Sequence, residues 1–455
     1  MLFEWIIAEG LAHQSYMIGS GGTAAVIDPR RDCGIYLDIA RRNRLAIGHI
    51  FETHRNEDYV SGAGELRELC GAEIHHGARL PFSFGKPVKD GDRFTIGSLG
   101  LEVLETPGHT EESISIVVRD REVSGEPYMV FCGDTLFAGD IARTDFYGQE
   151  RKAEMAGKIY DSITGRILPL GDGVIVCPAH GAGSICGDDI ADHPFTTVGY
   201  ERQTNSLIRM GREAFVARRV TESPYYPPYF RQMEKLNREG APLLPKNPFP
   251  KCLTIAGLIS YLNAGCQIVD IRSPTSFGAG HIPGSLSIWR EGLPSFMGWF
   301  LDYQTPIVIV DDFNTGLDGV ARHFVRLGYD NLAGVLMGGF AAWAREGREF
   351  ATIPTCSVHQ LEERLEKESL FLMDVRDIGH WRAAGHIRGA HHVYVGEILQ
   401  HLHEIPKDKP VVVYCDAGFK GSLGASILAR NNYRDVTNVL GGMTAWKQAG
   451  FAIEQ

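Results

Sequence analysis

Apolar residues along this chain fall in short runs broken by Gly- and Pro-containing turns. Short apolar runs bounded in this way are the pattern of buried strands, whereas a 3.6-residue apolar period marks the helices between them. In the first 240 residues, runs at 14–18, 24–28, 49–53, 101–105, 113–118 and 174–178 predict strands, and 202–218 predicts a closing helix. Prolines then crowd the chain at Pro224, Pro227 and Pro228, and again at Pro242, Pro245, Pro248 and Pro250. Proline removes a backbone donor and forces extended backbone, so a linker is expected over 241–250.

The remaining residues contain a repeat. Asp270-Ile271-Arg272 returns as Asp374-Val375-Arg376, and Gly280-His281-Ile282-Pro283-Gly284 as Gly385-His386-Ile387-Arg388-Gly389. Pro306 and its apolar run match Pro410-Val411-Val412-Val413-Tyr414, and Gly338-Gly339 with Trp343 match Gly441-Gly442 with Trp446. The offsets are 374 − 270 = 104, 410 − 306 = 104 and 441 − 338 = 103. Solenoid units run to only ~50 residues, so this period is a whole domain in duplicate. Strands over 370–375 and 411–414 and a helix over 422–431 predict βαβ units on a parallel sheet. The expected organisation is 1–240, a linker 241–250, and copies at 251–354 and 355–455.

Charge and cysteine usage narrow the chemistry. Lys and Arg number 45 against 56 Asp and Glu, a net charge of −11, which argues against a nucleic-acid partner. No apolar run reaches the ~18 residues of a membrane helix. Glu4 precedes any Lys or Arg, so the N-terminus does not read as a secretory signal. Nine Cys in 455 residues is too sparse for a disulfide scaffold, and a reducing cytoplasm is the expected compartment.

Candidate ligands recur where predicted strands give way to loops: His54 and Asp58 in Thr53-His54-Arg55-Asn56-Glu57-Asp58-Tyr59, His109 after Pro107-Gly108, Asp134 after Gly133, and His180 before Gly181. Residues 1–215 resemble in this order the metallo-β-lactamase superfamily, an αββα sandwich. That family's first motif normally reads His-x-His-x-Asp-His. Here Asn56 and Tyr59 stand in for two of the histidines, removing one ligand from each site of a two-zinc hydrolase such as glyoxalase II. His54, His109 and Asp134 remain as two imidazoles and a carboxylate, a set that suits one Fe(II) with open positions. The resemblance to the superfamily's persulfide dioxygenases implies the same triad, with a small-molecule persulfide and O₂ as reactants. It extends to Arg143-Thr144-Asp145-Phe146, where Arg143 and Asp145 are candidates to orient ligands or substrate or to form a buried ion pair. Asp58 and His180 are expected to hydrogen-bond to ligands or to be vestigial. Tyr59 is expected to pack or to donate near the metal. Cys132 and Cys177 sit in apolar runs and are expected to pack, while Cys186 lies in a loop from which it can approach the metal.

In the second copy, Cys415 follows an apolar run and opens Cys415-Asp416-Ala417-Gly418-Phe419-Lys420-Gly421, ahead of a helix. Loop amides and the positive helix end favour an anion there and are expected to lower the thiol pKa. Lys420 adds positive charge. Residues 355–455 resemble the rhodanese domains, which carry sulfane sulfur as a cysteine persulfide, with Lys420 where Arg is frequent and Arg388 where Pro is frequent. In the first copy Asp311 falls opposite Cys415, and Cys252 and Cys266 lie elsewhere, so that copy is expected to be silent, with Asp270, Arg272 and His281 holding its fold. The fold class expected is α/β multidomain: the αββα sandwich, then two tandem α/β rhodanese domains with parallel sheets. The expected activity is oxidation of a persulfide to sulfite at one Fe(II) per chain, coupled through Cys415 to thiosulfate. A zinc thioester hydrolase and a metal-free sulfur carrier or persulfide sensor are the alternatives. The resemblance also implies a homodimer or higher homo-oligomer.

Overall fold

The computed structural model describes every residue except 188, 194 and 246–249; the last part of the expected linker therefore lies outside the described residues. The chain forms two compact units, residues 1–246 with 325–328, and residues 247–324 with 329–455.

The first unit is built on two mixed six-stranded sheets. One runs β1-β2-β3-β4-β5-β6 (Leu2–Ala8, His13–Ser20, Thr23–Ile27, Ala46–Glu52, Glu73–Gly77, Lys86–Val88), antiparallel as far as β3 and parallel beyond it. The other contains β7 to β12 (Arg93–Ile96, Leu99–Glu105, Ile114–Asp120, Met129–Gly133, Ile175–Pro178, Thr196–Thr197), in the order β12-β11-β10-β9-β8-β7. Side chains alternate along each strand, so both faces of both sheets find a core. In β10, Met129 and Phe131 pack between the sheets with Tyr16, Phe51 and Leu101, while Val130 and Cys132 pack outward with Ile159 and Ile163. On the far side, Val26 and Ile50 cover Tyr36, Ile39 and Leu66 of the helices Gly34–Asn43 and Ala63–Cys70. Helix, sheet, sheet and helix thus stack in four layers.

The single closing helix expected over 202–218 is instead three helices, Val198–Thr204, Ser206–Arg209 and Arg212–Thr221. Asn205 takes extended backbone (φ −70°, ψ 110°) and its side chain accepts from the Leu207 amide, which ends one helix and caps the next. Gly211, at φ 84°, breaks the run again. A further helix, Phe230–Glu239, follows the first group of prolines.

The second unit contains the duplicated fold. Strands β13 to β17 (Lys251–Leu253, Gln267–Asp270, Leu286–Ser287, Ile307–Val310, Leu332–Leu336) order as β13-β17-β16-β14-β15. Strands β18 to β22 (Thr355–Cys356, Phe371–Asp374, His391–His392, Val411–Tyr414, Val436–Val439) order as β18-β22-β21-β19-β20. Every pairing is parallel, so both faces need helices and the central strands read as unbroken apolar runs. Among the described residues, no helix is long and apolar enough to cross a membrane.

Phe131 is fully buried between the two sheets. Phe131→Ala should lower the stability of the first unit by about 3–5 kcal/mol, read as a lower midpoint in chemical denaturation.

Candidate functional site

The ligands predicted in the first unit converge at one end of the sandwich. His54 follows β4, His109 follows β8, Asp134 directly follows β10 and His180 follows β11, and all four are buried. Gly133 makes the approach possible. It sits at φ 54°, and a Cβ there would lie 2.3 Å from Thr53 Oγ1, so no other residue lets β10 deliver Asp134 beside the His54 loop.

Hydrogen bonds fix which nitrogen of each imidazole faces the site. The Asp28 carboxylate accepts from the Thr53 amide at 2.7 Å and from its hydroxyl at 2.8 Å. Having donated its proton, the hydroxyl accepts from His54 Nδ1 at 2.9 Å. His109 Nδ1 likewise donates to the Arg143 carbonyl at 2.9 Å. Both rings therefore turn Nε2 toward the site, as an imidazole metal ligand must. Asp134 Oδ2 lies 3.8 Å from His54 Nε2 and 3.6 Å from His109 Nε2. Two donors at about 2.1 Å from one ion lie roughly 3–4 Å apart, so the spacing suits a shared cation.

His180 is held differently. Its Nδ1 is 2.9 Å from both Asp134 oxygens and its Nε2 is 2.9 Å from Asp58 Oδ2. Burial opposes its charge, but the two carboxylates outweigh burial and raise its pKa well above the imidazole range. It is a cation clamped between two acids, which orients Asp134 and helps to keep that carboxyl well below the usual range against the opposing effect of burial. His54, by contrast, is driven by burial down to about 3 and is neutral.

One group not assigned to the site from sequence, Glu57, belongs to this cluster, and so does Cys186, which the sequence placed in a loop able to approach it. Glu57 is fully buried, with Oε2 3.3 Å from His109 Nε2. His54, Glu57 and His109 offer ligand atoms within 4.8 Å of one another. Nothing about a glutamate inside a polar loop marks it as buried. Cys186 is buried, and its sulfur falls within 4.8 Å of ligand atoms of Asp58 and His180, and of His109 and Asp134. Asn56 turns away, its amide donating to the His54 carbonyl at 3.3 Å. Tyr59 packs on His13 with ring centroids 3.8 Å apart. Cys132 and Cys177 lie in the two cores.

The Arg143 guanidinium is paired bidentately with Asp145 at 2.8 and 2.7 Å and donates to the Tyr225 carbonyl at 3.1 Å. It also lies 5.2 Å from the centre of the Phe146 ring. That is the buried ion pair among the two readings of Arg143 and Asp145. Position 143 reaches His109 through its main-chain carbonyl.

In the second unit, Cys415 follows β21 and Asp311 follows β16 at the same register, because Asp374 pairs with Tyr414 as Asp270 pairs with Val310. The Gly418 amide donates to Cys415 Sγ at 3.1 Å. Gly418 takes φ 99°, which lets the loop curl back over the sulfur. The expectation of a lowered thiol pKa is corrected here. Burial raises it, and the amides of Gly421, Ala417 and Gly418 offset that only in part. Lys420 contributes least of these, since its ammonium lies 3.3 Å from Asp416 and 3.9 Å from Asp377. Asp311 meets Arg290 at 3.1 Å. In both copies the Arg of the Asp-x-Arg motif pairs with its Asp and donates to a glycine carbonyl, Gly280 at 2.7 Å and Gly385 at 2.8 Å, tying the strand end to the next loop. His281 Nδ1 lies 3.0 Å from the Phe277 carbonyl. The first copy also supports the second. Ser287 on β15 bonds Ser422 and Ser426 of the helix Phe419–Arg430 at 2.8 and 3.1 Å, and Trp289 packs against Phe419.

Comparison with known proteins agrees with both halves. The metallo-beta-lactamase superfamily model matches residues 8–180, and the rhodanese-like domain model matches 255–346 and 357–449. The crystal structure of a metallo-beta-lactamase from Staphylococcus aureus subsp. aureus COL is 31% identical, with a TM-score of 0.65 over 74% of this chain and 98% of that one. The mitochondrial persulfide dioxygenase of Bos taurus is 29% identical over 214 residues, 44% of this chain and 74% of that protein. A hydroxyacylglutathione hydrolase of Francisella tularensis subsp. novicida is 25% identical over 263 residues, 49% of this chain and 98% of that protein. With its four-layer sandwich and its two parallel-sheet copies, the chain belongs to the metallo-beta-lactamase superfamily and carries two tandem rhodanese-like domains behind that fold.

Proposed function

We propose that the chain oxidises a low-molecular-weight persulfide to sulfite at one ferrous ion held by His54, His109 and Asp134, and that Cys415 moves sulfane sulfur to form thiosulfate. The observation that carries this reading is the pair of Nε2 atoms, fixed in place by their Nδ1 partners and turned toward one buried carboxylate. The site fits a cation. His54 Nε2, Glu57 Oε1 and Asp58 Oδ1 are buried without a hydrogen-bond partner among the described residues, which is costly unless an ion satisfies them. The named persulfide dioxygenase among the relatives supports the same chemistry.

Ferrous iron in a two-histidine, one-carboxylate set supplies adjacent open positions for a thiolate and O₂. The protein's own part is to aim both imidazoles, through Thr53 and the Arg143 carbonyl, and to hold Asp134 ionised through His180. Overall, R–S–SH, O₂ and water give R–SH, sulfite and two protons; the S–S bond breaks, the outer sulfur is oxidised and O₂ is reduced. At the second site the Cys415 thiolate attacks the outer sulfur of another persulfide, forming Cys–S–SH and releasing the thiol. Sulfite then takes that sulfur, the bond to Cys415 breaks and thiosulfate leaves. The Gly418 amide stabilises the sulfur anion at each stage.

A two-zinc thioester hydrolase is the second reading, favoured by the hydrolase relative and by the Asp58, His180 and Cys186 cluster. It requires His180 to leave its place as a cation between two carboxylates, and Asn56 and Tyr59 supply no ligand.

Three outcomes follow. Protein purified without oxygen should contain about one iron per chain, whereas two zinc ions in the His54 cluster would select the hydrolase. Asp134→Ala should lose iron and lower persulfide-dependent O₂ uptake at least about 100-fold, because a ligand counts for more than an outer-sphere partner. Cys415→Ser should leave O₂ uptake intact and abolish thiosulfate; persistent thiosulfate would refute the transfer step. The pH dependence has a definite sign. Burial opposes a proton on His109, but Glu57 and Asp134 outweigh burial and raise its pKa. The metal must displace that proton, so its affinity should keep climbing with pH well past ~6.5, the midpoint of an ordinary imidazole. Titration calorimetry in buffers of different ionisation enthalpy reads the released proton directly.

A further inference from the structure

A second group of metal-ligating side chains lies away from the His54 cluster, on β4 and β5. His49 pairs across the two strands with Glu73, and Phe51 pairs with His75, so His49, Glu73 and His75 share one face of the sheet. His49 Nδ1 lies 3.0 Å from His75 Nε2. One ring nitrogen from each histidine and a Glu73 carboxylate oxygen lie within 4.8 Å of one another.

We propose that His49, Glu73 and His75 form a separate binding site for a divalent cation of the zinc type, with water completing the coordination. Two imidazoles and one carboxylate are a borderline-soft set, which suits zinc over magnesium or calcium. Two ligands of a tetrahedral zinc at about 2.0–2.1 Å stand roughly 3.3 Å apart, close to the distance the two nitrogens already keep. Burial lowers the pKa of both histidines, His75 to about 4, so neither is a cation at neutral pH, and the one proton shared between them can move to the donor ring's other nitrogen when an ion enters. The rings are set by their packing. His75 stacks on Phe51 at 5.0 Å and meets Phe94 at 4.6 Å, and His49 meets Phe94 edge-on at 5.5 Å. The ligands stand on paired strands, which hold them more rigidly than a loop does.

Two interactions must yield to the ion. The contact between His49 and His75 is a hydrogen bond that a shared cation replaces. Glu73 is paired with Lys86, which sits on β6 beside His75. That ion pair is exposed, with side-chain exposures of 63% and 50%, and such pairs contribute little. Bound metal would staple β4 to β5, and β4 leads directly into the His54 loop. This site does not depend on the activity proposed above.

The test is zinc titration of the full-length, metal-stripped chain against a chromophoric chelator, comparing wild type with His49→Ala, Glu73→Gln and Lys86→Ala. His75 is avoided because its ring is part of the core packing. His49→Ala should remove one zinc equivalent per chain, a loss of affinity beyond about 100-fold. Glu73→Gln should weaken the same equivalent. Lys86→Ala frees Glu73 and should tighten it several-fold, a gain that no general destabilisation produces. Unchanged zinc number and affinity in His49→Ala and Glu73→Gln would overturn the proposal. The His54 cluster is read separately through Asp134→Ala, so failure of either site is distinguishable from failure of the other.

Discussion

The buried carboxylate of Asp134 is the constraint around which the first unit is arranged. An ionised acid has no stable place inside a protein unless charge and hydrogen bonds surround it. Here the surroundings are His180 as a cation, with His54 and His109 facing the same oxygen. Each partner then needs a partner of its own: Asp58 behind His180, Thr53 and Asp28 behind His54, and the Arg143 carbonyl behind His109. Four strand ends, those of β4, β8, β10 and β11, and the loops that follow them are tied together by this chain of dependence. What it leaves unsatisfied, the bare Nε2 of His54 and one oxygen each of Glu57 and Asp58, marks where a cation belongs.

Much of this was legible in the sequence because strands announce their ends. His54, His109, Asp134 and Cys415 each lie just past an apolar run, and the structure places each at the end of a sheet strand. The duplicated fold was legible for a similar reason. A parallel strand buried on both faces reads as a solid apolar block, and the blocks at Ile307–Val310 and Val411–Tyr414 repeat. Glu57 and Cys186 were harder to read because loop burial has no period. The split of the closing helix turned on Asn205, whose capping bond exists only once the chain has bent. The Cys415 thiol went against expectation because loop amides can be inferred from spacing, while the desolvation that outweighs them depends on how deeply the loop is packed.

The two copies in the second unit show how little of a fold its chemistry needs. Their sheets have one strand order, and both keep the Asp-x-Arg pair bonded to a glycine carbonyl. At the same strand end one copy has a cysteine and the other a carboxylate that is bound to Arg290. The first copy still bears on the second, because Ser287 and Trp289 brace the helix whose first turn frames the Cys415 loop.

The two imidazoles of the metal cluster are oriented by chemically different means, and this gives them unequal tolerance to genetic change. His54 is aimed by a threonine hydroxyl, a group only serine can imitate, and that hydroxyl is itself held by a single aspartate. His109 is aimed by a main-chain carbonyl, which every amino acid at position 143 would supply as long as the backbone keeps its path. Drift at position 143 therefore leaves the group that aims His109 in place, whatever it costs the ion pair with Asp145, while His54 ties two positions, 28 and 53, directly to its own orientation.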